Sequence, residues 1–133
     1  MMSRLTERIE NFNKAFKLFE LAACAFRQDE NNDINKLALT QGFEIVVELG
    51  WKVLKDYLAQ KGVRALTPND VIKEAFSAEI ISDGQLWINM VKDRNTSSHE
   101  YNTDKMDEML AKVSTVYYNE LKSFCVLAEG FND

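Results

Sequence analysis

The chain has 133 residues, 46% hydrophobic and 28% charged, the mix of one globular domain rather than of a fibre or a disordered tail. Its net charge of −5 excludes a protein that grips nucleic acid through a broad basic face, so any RNA contact has to be local. No run of about 18 apolar residues occurs and the start, MMSRLTERIENF, lacks the apolar core of a signal peptide; the expected location is cytoplasmic, with no membrane partner.

One proline and five glycines leave few breaks, which favours long helices. The first predicted element is a helix over about residues 3–27. Its apolar positions Leu5, Ile9, Phe12, Phe16, Phe19, Ala23 and Phe26 alternate spacings of four and three, the stripe of a helix packed along its whole length. Ser3 and Glu7 supply first-turn chemistry. Residues 28–33 are a polar break. A second helix follows over about 34–60, with Gly62 placed to stop it. It carries two stripes, Leu39, Phe43, Val46, Gly50, Val53 and Tyr57 on one side and Val47, Trp51, Leu54 and Leu58 on the other. A helix apolar around so much of its circumference has to be covered on several sides, so it is expected at the centre and in contact with a second subunit.

Thr67, Pro68 and Asp70 spell a helix start, with threonine as cap, proline in the first turn and aspartate at the positive end. The short helix they open ends near Phe76 or Ala78. A new start is expected at Ser82 with Gln85 as its capping-box partner, and Trp87, Met90 and Val91 form the apolar face of a helix that runs into Arg94. Thr103 then caps a last helix with the stripe Met106, Leu110, Val113, Tyr117, Leu121, Phe124 and Ala128. No strand-like alternation and no internal repeat occur. The reading is an all-α fold, a single domain over 1–133, built as an antiparallel up-and-down four-helix bundle whose interrupted third helix comes from residues 68–94. Cys24 and Cys125 form no paired motif and lie in apolar helical segments, where free thiols are expected buried or half-buried as small hydrophobes.

The chemistry concentrates in DRNTSSHEY, residues 93–101, which holds the sole histidine of the chain. Arg94 offers a charged fork for phosphate oxygens, and His99 can move protons near neutral pH. Together they can cleave RNA without a metal, the imidazole activating a ribose 2′-hydroxyl and the guanidinium stabilising charge on the phosphorus-bound oxygens. Asn95 and Ser98 supply neutral hydrogen-bonding groups for a bound substrate. On a straight helix, positions five apart point about 140° from each other, so Arg94 and His99 converge only if the helix ends or bends between them or two subunits share a cleft. Cleavage also needs one group to accept a proton and another to donate one, which a single histidine per chain supplies only in a symmetric homodimer. The same residue types also have a plain structural role: His99 capping carbonyls, and Arg94 paired with Asp93 or Glu100. Neither a metal nor another cofactor is expected, since there is one histidine, no paired cysteines and no glycine-rich phosphate loop. On the second helix Glu48 and Lys52 form an i,i+4 pair, and an acidic residue among Glu44 and Glu48 has the alternative of facing the cleft. Trp51 and Trp87 read as core anchors.

Four segments in order, GFEIVVELGWKVLKDYL (42–58), TPNDVIKEAF (67–76), DGQLW (83–87) and RNTSSHEY (94–101), resemble the nucleotidyltransferase substrate-binding family within the HEPN superfamily. The resemblance spans about residues 5–128. It implies a homodimeric bundle acting with a minimal nucleotidyltransferase, first described as that enzyme's substrate-binding subunit. It also implies a toxin–antitoxin pair in which the HEPN protein is a metal-independent RNase. In that scheme Arg94 and His99 match the catalytic pair and Tyr101 matches the tyrosine that the partner adenylylates, placing negative charge two residues from His99. The alternative is a non-catalytic subunit that presents substrate to the nucleotidyltransferase, and a third reading is a bundle used only for oligomerisation. Lys92, Arg94 and Lys105 against Asp93, Glu100 and Asp104 leave the local charge near zero, which weighs against cleavage.

Overall fold

The first turn of a helix leaves backbone N–H groups without partners, and here a short polar side chain takes one of them at each of the first four helix starts. Ser3 Oγ accepts from the Thr6 N–H at 3.1 Å and opens α1, Arg4–Gln28. Asn32 Oδ1 accepts from Asn35 at 3.0 Å and opens α2, Asp33–Gln60. Thr67 Oγ1 accepts from Asp70 at 3.2 Å and opens α3, Pro68–Ser77. At α4, Gly84–Ser97, the cap is Asp83, whose Oδ1 accepts from Leu86 at 3.0 Å. The expected cap, Ser82, lies one residue too early to reach that donor, and Gln85 bonds Asn89 at 3.0 Å instead of closing a capping box. The structure is a computed structural model that describes residues 3–97 and 103–131.

After residue 102 the chain forms α5, Thr103–Lys112, a π-type turn over Val113–Tyr117, and α6, Tyr118–Glu129. Thr103 is already helical, and the residues before it lie outside the described ones. All described regular elements are helical, with no strand among them. Where one unbroken last helix was expected, the π turn interrupts it: the Tyr118 N–H reaches back five residues to the Val113 carbonyl. Around this turn neighbours are buried in pairs, Val113 with Ser114 and Tyr117 with Tyr118, each pair turned to different partners.

The stripes read from the sequence are the core. Every stripe position of α1 is buried except Ile9, which is half-buried, and both stripes of α2 are buried apart from the half-buried Tyr57. Both faces of α2 are therefore covered within the chain, and neither stripe is left for a second subunit. Residues of α1 meet α2 in reversed order: Arg8 on Asp56 at 2.9 Å, Phe12 on Gly50, Phe19 on Gly42, and the Ala25 carbonyl on the Asn35 amide at 3.1 Å. At Gly50 a Cβ would stand 3.3 Å from Phe12 and 3.4 Å from Trp87, so glycine lets that indole pack closely where a larger residue would press on it. Trp87 is fully buried and meets Phe124 edge-on at 4.9 Å, which in turn meets Phe12 at 5.4 Å. This contact brings α1, α2, α4 and α6 to one point. Cys125 is half-buried as expected, and burial, with Glu129 and Glu20 nearby, pushes its thiol up to about 12. Cys24 is exposed, because it falls one position after Ala23 and points away from the stripe. No described helix is long and apolar enough to cross a membrane.

Two helix ends use left-handed backbone. After α2, Gly62 has φ +82° and its N–H returns to the Ala59 carbonyl at 3.1 Å, as its position predicts. After α3 the same role falls to Glu79, with φ 60° and its N–H on Phe76, while Ile80 bonds back to Ala75 at 2.9 Å. A side chain is strained there where glycine is not. Glu79→Gly should therefore stabilise the protein by about 1 kcal/mol, read as a rise of roughly 3–5 °C in Tm, and an unchanged or lower Tm would show that the exposed Glu79 carries no such strain.

Candidate functional site

The last turns of α4 carry the start of the DRNTSSHEY segment, residues 93–97, against the body of the protein. α4 runs three residues past Arg94, to Ser97, rather than ending at it. Arg94 is half-buried, and its Nε points at the Glu44 carbonyl of α2 at 3.5 Å while Nη1 donates to Asn95 Oδ1 at 3.3 Å. Ser98, His99, Glu100 and Tyr101 lie outside the described residues, so of the expected Arg94–His99 pair only the arginine has a described position.

Asp93 does not pair with Arg94. Its carboxylate accepts from Lys112 Nζ at 3.1 Å and from the Tyr117 hydroxyl, both on the far side of α4. Tyr117 is 3% exposed, stacks on Phe43 of α2 with ring centroids 5.5 Å apart and planes 7° from parallel, and has Lys112 over its ring at 5.9 Å. Burial first, then the hydrogen bond and charge of Asp93, push the Tyr117 phenol well above its ordinary range. Asp93, Lys112 and Tyr117 also line a depression of ≈310 Å³ between α4 and the π turn, completed by Leu86, Asn89 and Lys92. One face of α4 is thus clamped to the last helix, and Arg94, one residue on, is turned toward α2.

On the α2 side Glu48 feels the charge of Arg94. Burial raises the pKa of its carboxyl, but hydrogen bonds from Trp51 and Lys52 and the charges of Lys52 and Arg94 outweigh it, holding it below the usual glutamate value. Trp51 Nε1 donates to Glu48 at 3.1 Å, and Lys52 pairs with it at 3.2 Å as the i,i+4 spacing predicts. Glu48 therefore has both a surface partner and a charge facing the motif. Trp51 and Trp87 are both core side chains, as expected.

Tyr117 is the residue that the sequence reading missed. Its place in the stripe marked it as apolar core, and nothing in periodicity separates a tyrosine that uses its hydroxyl from a phenylalanine. The signal available was the adjacent pair Tyr117–Tyr118, two amphipathic rings where a single stripe needs one. Tyr118 serves the opposite side: its hydroxyl donates to Glu20 of α1, and Arg27 lies over its ring at 4.6 Å while donating to the Ser114 carbonyl at 2.9 Å.

Residues 7–127 match the family described as nucleotidyltransferase substrate binding protein like. No curated protein sequence matches. Among solved structures, the chain is similar to the tri-AMPylated HEPN toxin of Shewanella oneidensis in complex with MNT antitoxin. The TM-score is 0.77 at 13% identity, covering 97% of this chain and 98% of that one. It is also similar to a protein of Thermus thermophilus, with a TM-score of 0.55 at 24% identity over 84% of this chain and 92% of that one. At these identities the likeness is one of fold.

Tyr117→Phe should cost about 1.5–3 kcal/mol, the scale of a hydrogen bond to a charged group. Because the folded protein raises the pKa of this phenol, the stability it contributes is full below about pH 10 and falls as pH rises beyond it. Denaturant unfolding at neutral pH and above pH 10 should show wild type losing more stability than Tyr117→Phe on going alkaline. Equal losses would mean that the hydroxyl is not held by Asp93.

Proposed function

Because the chain belongs to the nucleotidyltransferase substrate-binding protein like family, we propose that it is the HEPN-type partner of a minimal nucleotidyltransferase and acts as a metal-independent RNase toxin. The proposed architecture is a single domain over residues 1–133, an antiparallel up-and-down four-helix bundle. In it α1 and α2 are the first two helices, α3 with α4 the interrupted third, and α5 with α6 the fourth. The reversed order of contacts between α1 and α2 supports that arrangement, as does the packing of α4 on both α2 and α5.

The observation that carries the function is Arg94, half-buried in the last turn of α4 with its Nε toward the Glu44 carbonyl of α2 and Nη1 on Asn95, in the segment that resembles the HEPN catalytic motif. A guanidinium fixed in this way has its orientation set before substrate arrives, which is what stabilising a developing oxyanion requires. In the proposed reaction His99 takes the proton of a ribose 2′-hydroxyl. The 2′-oxygen attacks the adjacent phosphorus and the 5′-oxygen leaves, taking a proton from the His99 of a second copy. Arg94 stabilises the equatorial oxygens, while Asn95 and Ser98 hold the strand. The product ends are a 2′,3′-cyclic phosphate and a 5′-hydroxyl, and the active species is a homodimer. The HEPN toxin that shares this fold was captured AMPylated and bound to its MNT antitoxin. By analogy, the partner of this chain transfers AMP to Tyr101, where the added charge repels an RNA phosphate.

Purified protein should cleave RNA in the presence of EDTA, and His99→Ala should lower the rate by about 10²–10⁴-fold. If wild type and His99→Ala leave RNA equally intact while a complex with the nucleotidyltransferase still forms, the chain is a non-catalytic substrate-binding subunit. Incubation with that enzyme and ATP should add AMP to wild type and not to Tyr101→Phe, read by intact mass. Equal labelling of both proteins would move the modification elsewhere.

A further inference from the structure

A second basic feature lies at the other end of the face of α2 that Arg94 touches. Residues 52–66 carry Lys52, Lys55, Lys61 and Arg64 against the single acid Asp56, a local balance of +3 in a chain of −5, which leaves −8 on the rest. Asp56 is already engaged: its side chain is 12% exposed and takes Arg8 at 2.9 Å and, more loosely, Arg4 at 3.7 Å. Around it a pocket of ≈390 Å³ opens between the start of α1, the end of α2 and the 62–66 loop, with Arg4, Lys55 and Arg64 as its cations and Ala59, Val63 and Leu66 as apolar wall. Among the described residues Lys55 and Arg64 have neither an ion-pair nor a hydrogen-bond partner. Two unspent cations beside a neutralised acid, in a concave site of this size, form an anion site.

The pocket is joined to the motif by helix geometry. At 100° per residue Glu44, Glu48, Lys52, Lys55 and Ala59 fall within one sector of about 80° on α2. Arg94 reaches the Glu44 carbonyl at one end of this face, and Lys55 and Ala59 line the pocket at the other. Between them Glu48 is taken up by Lys52 and Trp51. From residue 44 to residue 55 the rise is about 16 Å. That is about five nucleotide steps at the 3.4 Å spacing of a stacked strand, and fewer for an extended one.

We propose that the Arg4–Lys55–Arg64 pocket binds a backbone phosphate of single-stranded RNA a few nucleotides from the phosphate held at Arg94, so that the face of α2 sets the strand's register. This rests on the RNA-cleaving reading above. A strand fits better than a free nucleotide because the pocket and Arg94 are two cationic points at opposite ends of one helix face, too far apart for a single phosphate to meet both.

The test is binding of a labelled 2′-O-methyl RNA of about ten nucleotides, within the site sizes of single-strand binders and impossible to cleave through its 2′-oxygen. Lys55→Glu/Arg64→Glu should weaken Kd roughly tenfold or more at low salt and reduce the slope of log K against log salt by about 1.4, two contacts at about 0.7 each. Lys55→Gln/Arg64→Gln should show a smaller loss in the same direction. Lys14→Glu/Lys17→Glu, the same charge change on an exposed face of α1, should leave the slope unchanged. Equal effects from the pocket and α1 variants, or none from either, would overturn the proposal, as would AMP binding as tightly as the oligonucleotide. If wild type binds the uncleavable strand through the pocket yet leaves ordinary RNA intact, the cleavage reading falls and the phosphate site stands. If RNA is cleaved with the same KM by wild type and the Lys55→Gln/Arg64→Gln variant, the site falls and the cleavage reading stands.

Discussion

The last helix has to bury two sides at once, and the π turn at Val113–Tyr117 is how it does so. Neighbouring residues on a regular helix point about 100° apart, so two consecutive tyrosines are buried only where different elements cover each of them. With one residue added to the turn, Tyr118 lies against Phe16 and Phe19 of α1, and Tyr117 lies against Phe43 of α2 and Asp93 of α4. The irregular backbone is compensated by charge: the Arg27 guanidinium donates twice to the Ser114 carbonyl, at 2.9 and 3.3 Å, and the two phenols donate to Asp93 and Glu20. Bonds of this kind contribute more than neutral ones, which lets a turn of poor intrinsic geometry persist.

That arrangement decides what the motif helix can present. Asp93 is drawn toward Lys112 and Tyr117, so its charge is spent on the last helix and does not neutralise Arg94 next door. In the sequence the bases and acids of residues 92–105 nearly cancel. In space the balance differs, because Asp93 belongs to the clamp and Glu48, 46 positions away in the chain, joins Arg94. An arginine that meets a largely ionised glutamate and a backbone carbonyl keeps its charge and loses rotamer freedom, the two properties a phosphate-binding guanidinium needs.

The helices were legible because burial enforces periodicity. Phe12, Phe16 and Phe19 are all buried, and the two stripes of α2 announced a helix covered on more than one side. The stripes did not reveal who does the covering: α1, α3, α4 and the last helix all pack on α2, so both stripes are covered within one chain. The π turn was invisible because the stripe Leu110, Val113, Tyr117, Leu121 has spacings that an unbroken helix also satisfies. Ser82 and Asp83 are both good caps by type, and only the backbone decides which oxygen reaches Leu86. The place of Arg94 depends on a contact fifty residues away, and that of Asp93 on one twenty-four residues away, which local pattern cannot encode. Family membership was legible for the opposite reason: it rests on several short segments in order, each dictated by local chemistry.

The proposed RNA contact sets a physical conflict for an acidic protein, and the charge layout offers a resolution by position. The repulsion from a net −5 acts through solvent and decays over about 8 Å at physiological ionic strength, so it discourages loose association more than contact at a fitted site. Contact is governed by what lies within a few ångströms, and two acids on or beside this face of α2 are already taken. Asp56 is held by Arg8, and Glu48 is shared among Lys52, Trp51 and Arg94. The cations that an anion meets along this face are Arg94 at one end and Lys55 with Arg64 at the other, a spacing set by the rise of a single rigid helix. On the proposed reading, discrimination comes from matching that interval rather than from total charge, so five excess negative charges do not by themselves bar a polyanion from being held in one register.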